Sequence, residues 1–401
     1  VSFSFALPTA IELAPGALDQ LGANAARLGT RACLVTGARA LAGAGVLDRV
    51  TKLLAERGVT AIHQSVEREP DTTLVDRGAE AARAAGCDLV IAIGGGSALD
   101  AGKAIACLAA NRGEALDYLE VVGRGRSVEC PSLPMIAVPT TAGTGSEVTH
   151  NAVLADPATR TKASLRHPSL APRVALLDPL LTLSMPADVT ARTGLDALIQ
   201  LIEPYVSRRS QPIIDALALD GIRRAAAALP RVWHDPGDAD ARESMMIAAL
   251  YSGIALSHCG LGAAHAFAGP LGGSYPIPHG IACAAVMPHV MAANLQAATE
   301  LGDARTVGRF ADVAVAIGVD RPADVQARAQ AAVRWMAELC RALAVPGLAS
   351  FGVTRAAFPD LVARARRTSS MRANPVDLDD PLLTTILEHS LEPRRPALAG
   401  A

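Results

Sequence analysis

Ile91-Ala-Ile-Gly-Gly-Gly-Ser-Ala-Leu-Asp-Ala-Gly-Lys103 runs from an apolar strand into three glycines and out into a helix. With Asp88-Leu-Val ahead of it, the segment reads as buried strand, tight turn and helix start within one βα unit. Glycine lets the backbone come close to a ligand, and unpaired N–H groups at a helix start favour negative charge. The segment is therefore a candidate phosphate cradle, with Gly94, Gly95, Gly96 and Ser97 as cofactor-binding residues. It matches neither common cradle. The G-x-G-x-x-G fingerprint needs glycine where Leu99 stands, and the P-loop pattern needs glycine at Ser97 and a hydroxyl at Ala104. Alone, the segment reads equally well as an ordinary βα turn.

A second segment tips the balance. Pro139-Thr-Thr-Ala-Gly-Thr-Gly-Ser-Glu147 follows the apolar run Met135 to Val138 and gathers the hydroxyls of Thr140, Thr141, Thr144 and Ser146. By itself it is as readily a Thr/Ser-rich surface turn. Open α/β sheets bind ligands at the carboxyl ends of their strands, so two such loops can face one crevice. Together they favour nucleotide binding.

The chain around these loops alternates strands and helices. Arg31 to Thr36, Val59 to Val66, Asp88 to Ile93, Met135 to Val138 and Val174 to Leu177 are strand candidates; Leu41 to Glu56 and Leu74 to Ala85 have helical spacing. This order predicts an α/β domain over residues 1–180, with a mainly parallel, Rossmann-like sheet. After Asp178-Pro179 the strand pattern fades. Long Ala/Leu/Arg stretches follow at Asp188 to Tyr205, Ile213 to Ala228, Ala239 to Ser257 and Ala323 to Leu343, punctuated by Pro186, Pro204, Pro212 and Pro230. An all-α domain over 181–401 is expected, with a frayed tail at 392–401.

Composition narrows the function classes. Half of the 401 residues are apolar, 19% are charged and the net charge is −2, which does not suggest a nucleic-acid surface. The apolar run Ile281 to Ala293 is interrupted by Pro288 and His289, so no membrane span is expected. Seven scattered cysteines without a C-x-x-C pair, and no evident signal peptide, suggest a cytoplasmic, reduced protein.

Five motifs in order give the chain a resemblance to the iron-containing (group III) alcohol dehydrogenases: Gly94 to Lys103, Pro139 to Glu147, Thr193-Gly-Leu-Asp-Ala-Leu198, Gly260-Leu-Gly-Ala-Ala-His265 and Pro278-His-Gly280. The resemblance implies an NAD(P)-dependent oxidoreductase interconverting an alcohol with an aldehyde or ketone, assisted by a divalent metal. It places the metal ligands at Asp196, His265 and His279, with a fourth, normally histidine, where this chain has Gln200. An amide oxygen is a weaker donor than imidazole, so weak binding of Fe2+ or Zn2+ is expected. Asp100 and Lys162 correspond to positions near the nicotinamide end of the cofactor, and Thr182 to one near the adenosine.

Two further positions depart from the pattern. Gly269 stands where several members carry a histidine for proton transfer, which leaves His258 as the candidate catalytic relay. Members that prefer NAD tend to carry aspartate at the position of Gly37. Its absence removes a carboxylate that would repel a 2′-phosphate, and Arg39 is placed to meet one, which favours NADP over NAD. The expected partner is a small alcohol or carbonyl substrate, and by analogy the protein forms a dimer or larger homo-oligomer, with an N-terminal strand at Ser2 to Leu7 available for pairing. Two other readings stay open: reduction of an unsaturated oxo acid, as in maleylacetate reductases, and a dehydroquinate-synthase-like lyase.

Overall fold

The computed structural model describes residues 2–37, 45–158, 161–319 and 323–392. Arg39, the start of the first expected helix and the tail beyond residue 392 lie outside the described residues. The chain forms two compact units: Ser4–Pro186 with Pro236–Ser257, and Ala187–Asp235 with His258 onward.

The first unit is built on a six-stranded, wholly parallel sheet. Its strands are β1 (Ala10–Leu13), β2 (Arg31–Gly37), β3 (Thr60–Val66), β4 (Leu89–Gly94), β5 (Met135–Pro139) and β8 (Val174–Leu177), in the order β1-β8-β5-β4-β2-β3. β4 is central and buried on both faces, which is why its sequence is continuously apolar. β3 lies at the edge and alternates instead. Side chains alternate between two cores. Cys33, Val35, Val90 and Ala92 pack with α3 (Thr72–Ala84), α4 (Gly96–Ala110) and the short α5 (Ala115–Tyr118). Ala32, Leu34, Ile91 and Ile93 pack with α1 (Leu21–Leu28) and α2 (Val46–Ala55). The chain leaves β2 for β3 on one side, then returns to β4 on the other. The sheet's switch point therefore falls between the carboxyl ends of β2 and β4.

Within the single chain the sheet's pairing begins at β1, beside β8, while the pairing expected of Ser2 to Leu7 is with a second copy. One feature differs from the sequence reading. An antiparallel hairpin, β6 (Asn151–Asp156) with β7 (Thr161–Arg166), was not anticipated. Asp156-Pro157 opens its turn.

The second unit is helical, as expected. It contains α6 (Ala187–Val206), α7 (Pro212–His234), the end of α8 (Ala239–Cys259), α9 (Ala263–Ser274), α10 (His279–Glu300), α11 (Ala304–Ala316), α12 (Val325–Ala342), α13 (Phe358–Arg366), α14 (Ser369–Ala373) and α15 (Asp380–Ser390). Pro212 opens α7, where its missing N–H costs nothing. Pro204, Pro230 and Pro288 lie inside helices rather than ending them. At Pro288 the compensation is visible: the Ala284 carbonyl, deprived of its helical partner, accepts from the Cys340 thiol at 3.5 Å. α10 consequently runs unbroken and has the length and mean hydropathy of a membrane-crossing helix. Its apolar window is 83% buried inside the protein, which identifies it as a core helix.

Candidate functional site

Asp196, Gln200 and Glu203 follow the i, i+4, i+7 spacing of one helical stripe, and all three are buried on α6. Two carboxylates in a core need partners. Glu203 finds them at the start of α9. Its Oε1 accepts the Ala264 N–H at 2.7 Å, and Oε2 lies 2.6 Å from His265 Nδ1. A carboxylate at a helix N-terminus satisfies an orphan donor and opposes the positive end of the dipole. Asn374 Oδ1 takes the preceding Ala263 N–H at 3.1 Å and is braced by Asn294. His265 is thus fixed in position. With the Nδ1 proton directed to Glu203, the neutral ring turns an Nε2 lone pair the other way.

That nitrogen faces Asp196. His265 Nε2 and Asp196 Oδ1 lie 3.4 Å apart, both buried, and neither has a hydrogen-bond partner. The other carboxylate oxygen, Asp196 Oδ2, accepts from Gln200 Nε2 at 3.0 Å. Gln200 therefore spends its amide nitrogen orienting the aspartate. His279 opens α10 with Nε2 3.8 Å from Asp196 Oδ1, and it is the exposed member, at 44% of its side chain. The next residue must be glycine. A Cβ on Gly280 would stand 2.0 Å from the Arg192 carbonyl oxygen, so only glycine lets α10 start this close to α6. One turn on, Cys283 Sγ lies 3.8 Å from His279 Nε2.

One donor atom each from Asp196, His265, His279 and Cys283 lies within 4.8 Å of all the others. The electrostatics match the geometry. Burial raises the Asp196 carboxyl, but the imidazoles of His279 and His265 outweigh it and hold it below the usual range. Burial also disfavours charge on His265, yet Cys283, Glu203 and Asp196 around it lift its pKa well above the ordinary value. The pocket demands positive charge. Two orphaned buried atoms aimed at one point, in a nitrogen, oxygen and sulfur donor set, fit a divalent cation.

In the α/β unit the two loops meet. A Cβ on Gly96 would fall 2.8 Å from Thr144 Cγ2, and one on Gly95 3.2 Å from Thr141 Cγ2, so glycines are what let the Thr/Ser loop approach the turn. Thr140 N donates to Gly94 O at 3.0 Å, while its buried hydroxyl has no partner. Gly37 ends β2 beside Gly94; a Cβ there would meet only the Gly94 Cα, at 3.9 Å. These residues line the switch point.

Other candidates are engaged elsewhere. Ser146 Oγ donates to Asp100 at 2.5 Å, and Asp100 also accepts the Val153 N–H at 3.0 Å. Lys103, wholly buried, donates to Ser146 Oγ and Thr149 Oγ1, each at 2.7 Å, and to Asn151 O at 2.9 Å. These bonds tie α4 to the loop and to β6. Lys162 pairs with Glu69 at 2.6 Å. Thr182 is fully buried and donates to Pro179 O at 2.7 Å. Ser97 lies in the first turn of α4. His258, near the end of α8, is not among the four clustered donors, and Gly269 is exposed with open space around it. Sequence reasoning missed Glu203 and Cys283. Helical spacing carries the signal for both: Glu203 is seven residues after Asp196, and Cys283 four after His279.

A parallel sheet with an open glycine turn at its switch point, and a helical unit with a buried four-donor pocket, are the parts of a metal-assisted dehydrogenase. Comparison narrows this. Residues 8–179 match the family model described as iron-containing alcohol dehydrogenase, and 190–391 its C-terminal counterpart. The chain is 37% identical over 383 residues to a choline dehydrogenase of Bacillus subtilis, covering 94% of this chain and 92% of that protein. It is 36% identical over 316 residues to an NAD-dependent methanol dehydrogenase of Bacillus methanolicus, covering 79% and 80%. The crystal structure of a 1,3-propanediol oxidoreductase superposes with a TM-score of 0.90 at 32% identity, covering 97% of this chain and all of that one. The chain belongs to the iron-containing alcohol dehydrogenases. The family interconverts alcohols and aldehydes, so neither the oxo-acid reductase nor the lyase reading is favoured.

Proposed function

We propose that this chain is a nicotinamide-dependent, metal-assisted dehydrogenase of small alcohols, acting equally as a reductase of the matching aldehydes or ketones. The observation that carries this reading is the pair of buried, unpartnered atoms, Asp196 Oδ1 and His265 Nε2, 3.4 Å apart within a four-donor set. Asp196, His265 and His279 would hold the cation. When bound, it polarises the substrate oxygen as a Lewis acid while the nicotinamide ring exchanges hydride with the adjacent carbon.

The remaining work falls to this chain's own residues. Glu203 fixes the His265 tautomer, and Gln200 fixes the Asp196 rotamer. The exposed flank at His279 is where substrate enters. Backbone N–H groups of Gly94 to Ser97, at the start of α4, hold the cofactor's pyrophosphate, and the Thr140 hydroxyl adds a donor. Thr141, Thr144 and Ser146 shape that loop, with Asp100 bracing it; Lys162 and Thr182 are assigned to the cofactor by family correspondence. His258 is assigned the proton relay; His258→Ala is expected to displace the pH profile of turnover, and an unchanged profile removes it from the mechanism. Residues 1–180, with Pro236–Ser257 in the same compact unit, serve the dinucleotide, and the rest of 181–401 serves the metal and substrate. Seven free thiols support a reducing, cytoplasmic setting.

NADP is favoured because Gly37 supplies no carboxylate against a 2′-phosphate. Gly37→Asp is expected to shift the NADP-to-NAD ratio of kcat/KM by about tenfold or more towards NAD, the scale of one charged contact. A strong preference for NAD in the unaltered protein contradicts this part. The reading as a whole is tested by the reduced-nicotinamide absorbance on mixing with an aldehyde panel. Turnover that disappears on chelation and returns with added iron or zinc supports it; activity indifferent to chelators overturns the metal's role.

A further inference from the structure

Cys283 is the one donor in the pocket that the family correspondence does not supply, and it lies in the pocket from which an imidazole is missing. Gln200 directs its amide nitrogen at Asp196 Oδ2, so in this rotamer it serves the aspartate as a hydrogen-bond donor. Cys283 is fully buried, one turn beyond His279 on the same face of α10, with its sulfur directed at the same point as the other three donors.

The separations fit a small coordination sphere. Tetrahedral zinc with metal–nitrogen or metal–oxygen bonds of about 2.0–2.1 Å and metal–sulfur of about 2.3 Å has ligand–ligand edges of roughly 3.3–3.6 Å. The observed edges are 3.4 Å for His265–Asp196, 3.8 Å for His279–Asp196 and 3.8 Å for Cys283–His279. These three edges are within a few tenths of an ångström of the coordinated value and the other three are no longer than 4.8 Å, so the set can close on an ion by side-chain adjustment.

Resting on the metal-dependent reading above, we propose that the Cys283 thiolate is the fourth metal ligand, in place of an imidazole at position 200. The centre is then an Asp-His-His-Cys site. On binding, the sulfur gives its proton to solvent and one sulfur–metal bond forms; no redox change is involved. Thiolate is softer than the imidazole or carboxylate donors and moves the site's preference towards zinc over iron, magnesium or manganese.

Cobalt(II) is the probe. Metal-stripped protein is reloaded with one equivalent of Co(II), and its absorption is recorded from the near ultraviolet through the visible. The proposal expects visible ligand-field bands together with an intense near-ultraviolet thiolate-to-cobalt charge-transfer band. Cys283→Ser is expected to keep the ligand-field bands, lose the charge-transfer band and weaken zinc binding by about 100-fold or more, beyond the 10- to 100-fold typical of losing a ligand's supporting partner. Replacing the exposed Cys130 by serine is expected to leave the band in place. Should the serine variant at 283 not fold, the unaltered protein's own spectrum still decides. Ligand-field bands without charge transfer overturn the Cys283 assignment while leaving the metal site standing. A charge-transfer band that survives Cys283→Ser also overturns it. Failure to bind cobalt or zinc at all overturns both this proposal and the metal-dependent reading beneath it.

Discussion

Glu203 does its work one bond away from the donors. Its carboxylate sets the His265 tautomer through a 2.6 Å contact and satisfies the start of α9 through the Ala264 N–H. Glu203→Gln keeps the size but gives up the charge that favours a proton on Nδ1. Metal affinity is expected to fall about 10- to 100-fold, measured by competition with a chromogenic chelator. Unchanged affinity would mean that the imidazole is oriented by packing alone. At this scale the sequence was only half legible. Asp196, His265 and His279 were singled out through their motifs, and the structure brings their donor atoms together. Glu203 and Cys283 depend on which neighbours three helices bring together, and residue type alone does not record that.

Elements set the spacing of these residues. α10 starts where it does because Gly280 has no side chain to collide with the Arg192 carbonyl. Gly280→Ala forces α10 and α6 apart, and is expected to cost about 1–3 kcal/mol in urea unfolding and to weaken metal binding with it. In the α/β unit, α4 is tied to the Thr/Ser loop through buried charges. Burial lowers the Lys103 pKa from 10.5 to about 8, against the attraction of Asp100 and Glu147. Burial raises that of Glu147 from 4.5 to about 7, partly offset by a backbone hydrogen bond and by Lys103. Because folded Glu147 holds its proton more tightly than unfolded, its favourable contribution is complete below about pH 4.5 and fades as pH rises towards 7. Glu147→Gln should therefore gain stability relative to the unaltered protein across that window, by on the order of 1–3 kcal/mol at neutral pH. A pH-independent difference in denaturation midpoints would contradict it. Most elements were readable from pattern: β4 as a continuous apolar run, α6 and α12 by helical spacing. The interior prolines were not, since whether a freed carbonyl finds a partner such as Cys340 depends on a residue 56 positions away.

For the whole molecule, binding energy becomes folding energy. A cation held as proposed by side chains from three helices would bind the native state and not the unfolded chain, so metal at 100 times its Kd should stabilise by about 2.7 kcal/mol. Differential scanning calorimetry is expected to show a higher Tm with zinc present and no such gain in Asp196→Ala. The class of the fold was legible because strand–helix alternation gives way to helices near residue 180, and the comparisons agree with that reading. The measurement that bears most directly on the account is an anomalous difference map from crystals grown with zinc, collected at the metal's absorption edge. One dominant peak is expected within bonding distance of Asp196 Oδ1, His265 Nε2 and His279 Nε2. A map with no peak there, in protein that oxidises alcohols at full rate, would contradict it.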